Sequence, residues 1–231
     1  MTTNNRLMFA AALASAAFLA SPPANASVVR SVDFDTKVAE AQSIVLGKVT
    51  KTESRWDPSH RWILTYSTVR VEESLKGNGG QEVTLVTPGG QVGNVGQSTV
   101  GIPSLEQGAE HVLFVKPSQV GQTILYFDQG TYDVKDQGNE KVITPVASEA
   151  VFVDSQRGMA VAAEEPRTLS QFRSEVRRAE KNALQRMELV RERQRQEAES
   201  ASISSIILRN KLLISLALVG IALATWRFFK R

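Results

Sequence analysis

Ile63-Leu64-Thr65-Tyr66-Ser67-Thr68-Val69-Arg70-Val71 is the stretch on which the fold class turns. Extended, it puts Ile63, Thr65, Ser67, Val69 and Val71 on one face and Tyr66, Thr68 and Arg70 on the other. A period of two built from β-branched residues reads as a strand with one buried side. Upstream, Ile44-Val45-Leu46-Gly47-Lys48-Val49 is an apolar run whose strand continues past Thr52, after a short helical lead-in at 36–42. Between the two strands, Trp56-Asp57-Pro58-Ser59-His60-Arg61-Trp62 contains a turn signal, so a hairpin is expected. Further strands are expected at 82–87, 111–115, 123–127, 131–134 and 141–144. Short strands at this spacing, with no long helix between them, imply a mainly β fold: a small antiparallel OB-like barrel or a sandwich over 27–150.

Working outward, residues 1–26 have a polar start with one cation, Arg6, an apolar run at 7–19, and the helix breakers Pro22 and Pro23. Ala24-Asn25-Ala26 is an A-x-A cleavage site that would leave Ser27 as the mature N-terminus, so a signal peptide is expected. Past a linker at 151–167, Thr168 with Gln171 forms a capping-box start. Leu169, Phe172, Val176, Ala179, Ala183, Met187 and Val190 then recur at spacings of three and four, giving one apolar helix face. That face is expected to dock on the β domain or to pair with a second copy as a homodimer. Residues 191–205 are almost wholly polar and read as a spacer completing the helical segment 168–205.

Residues 206–229 are expected to form a transmembrane helix, with 230–231 as a cytoplasmic end. Its centre, 212–225, carries no charge, and Arg209, Lys211 and Arg227 are expected to snorkel away from it. The layout also resembles bacterial C-terminal sorting tails, although neither Pro-Glu-Pro nor a Gly-Gly pair precedes Leu212. Together the two ends predict a single-pass protein of the bacterial inner membrane with its β domain in the periplasm or outside the cell.

Charge is divided by region. Residues 27–166 hold 12 Lys and Arg against 18 Asp and Glu, whereas 167–231 hold 14 against 6. The basic residues thus lie along a membrane-proximal helix, which argues against a nucleic-acid-binding face. The chain has no cysteine, which removes disulfides, thiol nucleophiles and Cys-based zinc sites, and favours a bacterial envelope over a eukaryotic secreted context.

The run 41–49, the long strand closing in Leu75-Lys76-Gly77, a Gly-containing loop, Gly108 followed by Val112-Leu113-Phe114-Val115, and Gly130-Thr131-Tyr132 share an order over residues 36–134. That order resembles the netrin-like OB-fold of tissue inhibitors of metalloproteinases, and is similar to exported bacterial proteins carrying the same domain. The resemblance implies a protein-binding module, with an exported protease as one partner class. Those inhibitors dock through an N-terminal cysteine that chelates the protease zinc. Here Ser27 stands at that end, so the inhibitory mechanism does not carry over.

No catalytic, cofactor or metal residues are assigned. His60 and His111 have no partner at metal-ligand spacing, no Gly-x-Ser-x-Gly elbow occurs, and Glu72 and Glu73 point to opposite strand faces. The glycines of Pro88-Gly89-Gly90-Gln91-Val92-Gly93-Asn94-Val95-Gly96 lack the Gly-Lys-Ser/Thr ending and following helix of a phosphate loop; they are expected to serve backbone bends. The expected partner-binding residues are Trp56, His60 and Trp62 at the hairpin tip, as anchors for a protein or glycan. The structural alternative is that the two indoles pair across the hairpin. The function expected is a non-enzymatic interaction module; a hydrolase with an unrecognised site and a structural subunit assembling through the 168–190 helix are the alternatives.

Overall fold

A computed structural model of the chain describes residues 27–230, without the side chains of 201–209, 212 and 214. The expected signal peptide 1–26, with Ala26 of its cleavage site, lies outside the described residues. The chain divides into two compact units, one ending at Arg173 and one beginning at Ser174.

The first unit is mainly β. It opens with β1 (Val28–Arg30) and α1 (Phe34–Glu40). Helix α1 starts at Asp33, whose carboxylate accepts the Thr36 N–H at 2.9 Å and the Thr36 hydroxyl at 2.7 Å. Two long strands follow, β2 (Ser43–Trp56) and β3 (Ile63–Lys76), paired antiparallel along their length as the expected hairpin. Their register shifts three times, which bends the ribbon. Gly47 permits one of these bends, because a Cβ there would lie 2.5 Å from the Arg70 carbonyl oxygen.

Next come β4 (Glu82–Pro88), the small hairpin β5 (Gly90–Val92) and β6 (Val95–Gln97), then β7 (Glu110–Ser118) and β8 (Gly121–Ile124). The expected strand at 123–127 ends early: Tyr126 and Phe127 have φ of 57° and 48°, and a 3₁₀ turn runs through Phe127–Gly130. Strands β9 (Thr131–Gln137) and β10 (Glu140–Pro145) form a second antiparallel hairpin. The segment expected as a linker holds β11 (Val151–Asp154) and β12 (Met159–Ala160), and leads into β13 (Arg167–Thr168).

Strand pairing runs β13-β10-β9-β7-β2-β3-β4-β8, and β8 pairs again with β7. The order β7-β2-β3-β4-β8 therefore returns on itself, with only the β4–β8 contact parallel. Val45, Val49, Val69, Leu85, Leu113, Val115 and Ile124 form one buried cluster from these strands. The alternate residues of β7 point the other way, into an aromatic cluster. There Phe172 meets Phe34 at 5.3 Å and Tyr132 at 5.1 Å between ring centroids, and Phe114 meets Phe34 at 6.0 Å, all edge-on.

Helix α2 (Leu169–Phe229) begins in the first unit and makes up the second. Its start is the expected capping box: the Thr168 N–H donates to Gln171 Oε1 at 3.0 Å, and the Gln171 N–H to Thr168 Oγ1 at 3.3 Å. Along the expected stripe Phe172, Val176 and Ala179 are buried, Leu169 and Ala183 half-buried, and Met187 and Val190 exposed. The transmembrane helix expected at 206–229 is corrected in one respect: among the described residues no helix is long and apolar enough to cross a membrane. The flanks supply the reason. Lys211 and Arg227 close in on a charge-free stretch of 15 residues, short of the roughly 20 that a bilayer core needs. Residues 206–209, 212 and 214 of the expected span lie outside the described side chains.

Candidate functional site at the hairpin tip

The tip between β2 and β3 is built around Asp57. Its Oδ1 accepts the backbone N–H groups of Arg61 and Trp62, each at 2.8 Å, and its Oδ2 accepts the Ser59 N–H at 3.2 Å and the Ser59 hydroxyl. The Asp57 N–H donates to the Trp62 carbonyl at 2.7 Å, closing the loop, and His60 turns the chain with φ of 53°. The Ser59 hydroxyl first, then the N–H groups of Trp62 and Arg61, hold the Asp57 carboxyl far below the usual range, so it stays ionised.

The three expected tip residues part company. Trp56 is half-buried with its ring centroid 6.3 Å from that of His60, a tilted stack. Trp62 turns outward and is 62% exposed. A large aromatic side chain held in water by a rigid loop loses little conformational freedom when it is covered, which suits a contact residue.

Behind Trp62 lies a cleft that the sequence reading did not single out. Gln97, at the end of β6, ties it to the tip: Oε1 accepts the Ile63 N–H at 2.6 Å and Nε2 donates to the Arg61 carbonyl at 3.1 Å. A hollow of about 370 Å³ is walled by Ser54, Thr65, Ser67, Thr87 and Ser98, and an adjoining one of about 560 Å³ by Trp62, Leu64 and Val120. Pro88, Gly89, Gln97, Ser98 and Thr99 border both. The signal in the sequence was the hydroxyl pair Thr65 and Ser67 in the otherwise apolar inward face of β3.

Two other polar clusters are internal ties. Lys37, 2% exposed, donates to the Gln129 carbonyl at 2.9 Å, the Tyr132 hydroxyl at 2.7 Å and Glu164 Oε1 at 2.6 Å, which uses all three ammonium protons. Burial pushes the Lys37 ammonium down against the pull of Glu164. Burial would push the Glu164 carboxyl up, but Lys37, Arg167 and Tyr132 outweigh it and hold that carboxyl below its ordinary value. His111, at the start of β7, is buried with Nδ1 3.1 Å from Asp133 Oδ1. Burial lowers its pKa, favouring neutral imidazole. Among the described residues no group of three or more His, Asp or Glu is placed to hold a metal ion.

The tip and its cleft thus set an exposed indole beside a hydroxyl-lined hollow. Comparison with protein-family profiles and with curated proteins finds no match, so the site's reading rests on its own geometry.

Proposed function

We propose that the chain is an exported, non-enzymatic binding module, attached to a membrane by the end of α2, which meets its partner through the β2–β3 tip. The observation that carries the reading is Trp62: an indole 62% exposed on a loop locked by Asp57. Aromatic anchors of this kind supply a disproportionate share of binding energy. The returning pairing order β7-β2-β3-β4-β8 supports an OB-like barrel, in which the first hairpin loop borders the usual binding face.

Membrane attachment draws support from the second unit. Leu213, Leu216, Val219, Ile221, Leu223 and Phe228 are each more than half exposed and distributed round the helix. A helix apolar on every side is unfavourable in water and favourable in lipid. Lys230 lies 4.4 Å from the Trp226 ring, an interfacial pairing of cation and indole.

Affinity capture of the full chain from crosslinked cells tests the binding role. The wild type is expected to retain one dominant partner and Trp62→Ala to lose it; equal capture by both would remove the tip from the function.

A further inference from the structure

The cleft beside Trp62 has a chemistry that narrows its ligand. Ser67 and Thr87 are 2% and 5% exposed, both line the 370 Å³ hollow, and neither hydroxyl hydrogen-bonds to another described residue. Hydroxyls that face a hollow without a protein partner are left to solvent or to a ligand. Their neighbours are partly spent. Thr65 donates to the Gly89 carbonyl at 2.7 Å, so Ser54 is the donor in the 2.9 Å contact between Ser54 and Thr65, and the Ser54 oxygen keeps its lone pairs free to accept.

No ionisable side chain lines this hollow. A charged ligand entering it would shed water with nothing of opposite sign to replace it, whereas an uncharged polar one would exchange water for hydroxyl partners. The adjoining hollow adds an apolar wall of Trp62, Leu64 and Val120; the one ionisable group that borders it, the Asp57 carboxylate, is already engaged by the Ser59, Arg61 and Trp62 N–H groups of the loop. The ligand therefore needs hydroxyl-bearing edges, a C–H-rich face and no charge.

Taking the tip as a binding surface, as proposed above, we infer that the cleft and Trp62 together bind a neutral saccharide unit of an extracytoplasmic polysaccharide. The sugar ring lies with its C–H face on the indole and its hydroxyls against Ser67, Thr87 and Ser54. Backbone groups at Gly89 and the Gln97 amide border the same space. Pyranose rings present this combination of edge and face; a peptide stretch of the same size carries far fewer hydroxyls for the deep end.

The test uses the full chain in a detergent without a sugar headgroup, with Trp56→Phe and Trp226→Phe so that Trp62 alone reports. Maltohexaose, chitohexaose and dextran are titrated in turn, with polygalacturonate as the charged control and a neutral Gly/Ser peptide as the non-sugar control. At least one neutral saccharide is expected to give a saturable blue shift of Trp62 emission. Thr87→Val and Ser67→Ala, with unchanged melting temperatures, are expected to weaken that binding about tenfold. Three results would overturn the assignment: no saturable response to any of the neutral saccharides up to about 10 mM, an equal response to polygalacturonate or the peptide, or unaltered affinity in both hydroxyl variants. If all sugars fail while cellular capture still depends on Trp62, the binding-module reading stands and the saccharide assignment falls.

Discussion

Single side chains settle two matters in this molecule: what holds the first unit closed and what it shows to its surroundings. Lys37 and Glu164 lie 127 positions apart in sequence, and their contact ties α1 to the segment leading into β13. Lys37→Met leaves the half-buried Glu164 and the buried Tyr132 without their ammonium partner. Because Glu164 keeps some access to water, the expected loss is about 2–3 kcal/mol, below that of a wholly buried pair; urea unfolding measures it. The pH sign follows from the lowered Glu164 carboxyl. Its contribution is complete above the unfolded carboxylate value of about 4.3 and is lost as pH falls through the folded value. Lys37→Met should therefore flatten the fall in melting temperature on acidification. No local pattern reveals such a pair, since neither residue belongs to a periodic run that points to the other. Trp62 differs, because a tryptophan in a turn is conspicuous in the sequence itself, though its outward orientation depends on Asp57 hydrogen bonds that only the folded loop displays.

Among the elements, legibility followed how local the determining forces are. The alternation in β3 and the capping box at Thr168 are set by neighbours within a few residues, and both could be read directly. Strand β8 was misjudged because Tyr126 and Phe127, good strand residues by propensity, are held left-handed at the turn after Ile124. Strand β11 was hidden because its parallel partner β1 lies over 100 residues away, with Val28 opposite Val151. The cleft wall was missed for a related reason: Ser67, Thr87 and Gln97 come from three elements that meet only after the pairing order closes. Phe172 carries the consequence for α2. It is buried in the first helical turn against Phe34, Phe114 and Tyr132. Phe172→Ala is expected to cost about 3–4 kcal/mol through lost burial and the void it leaves, read as a shift in urea midpoint. Phe172→Leu, which refills most of that volume, should recover over half of the loss.

For the molecule as a whole, the opposite charges of 27–166 and 167–231, the A-x-A site before Ser27 and the exposed apolar end of α2 point the same way. The first two are properties of the sequence alone, and the third is the exposure of its apolar residues in the structure. The mature protein is expected to begin at Ser27 by N-terminal sequencing and to stay with membranes after alkaline carbonate washing. Leu216→Arg with Leu223→Arg should release it into the soluble fraction; a chain that begins at Met1 or washes free unaltered would contradict membrane attachment after export. The claim on which the most rests is that the tip is the surface in use. A photoreactive residue placed at Trp62, and separately at Glu72 on the same strand but remote from the tip, measures this in intact cells. Irradiation is expected to give a discrete crosslinked product from position 62 and none from position 72. A bare position 62, or equal crosslinking from both, would contradict it.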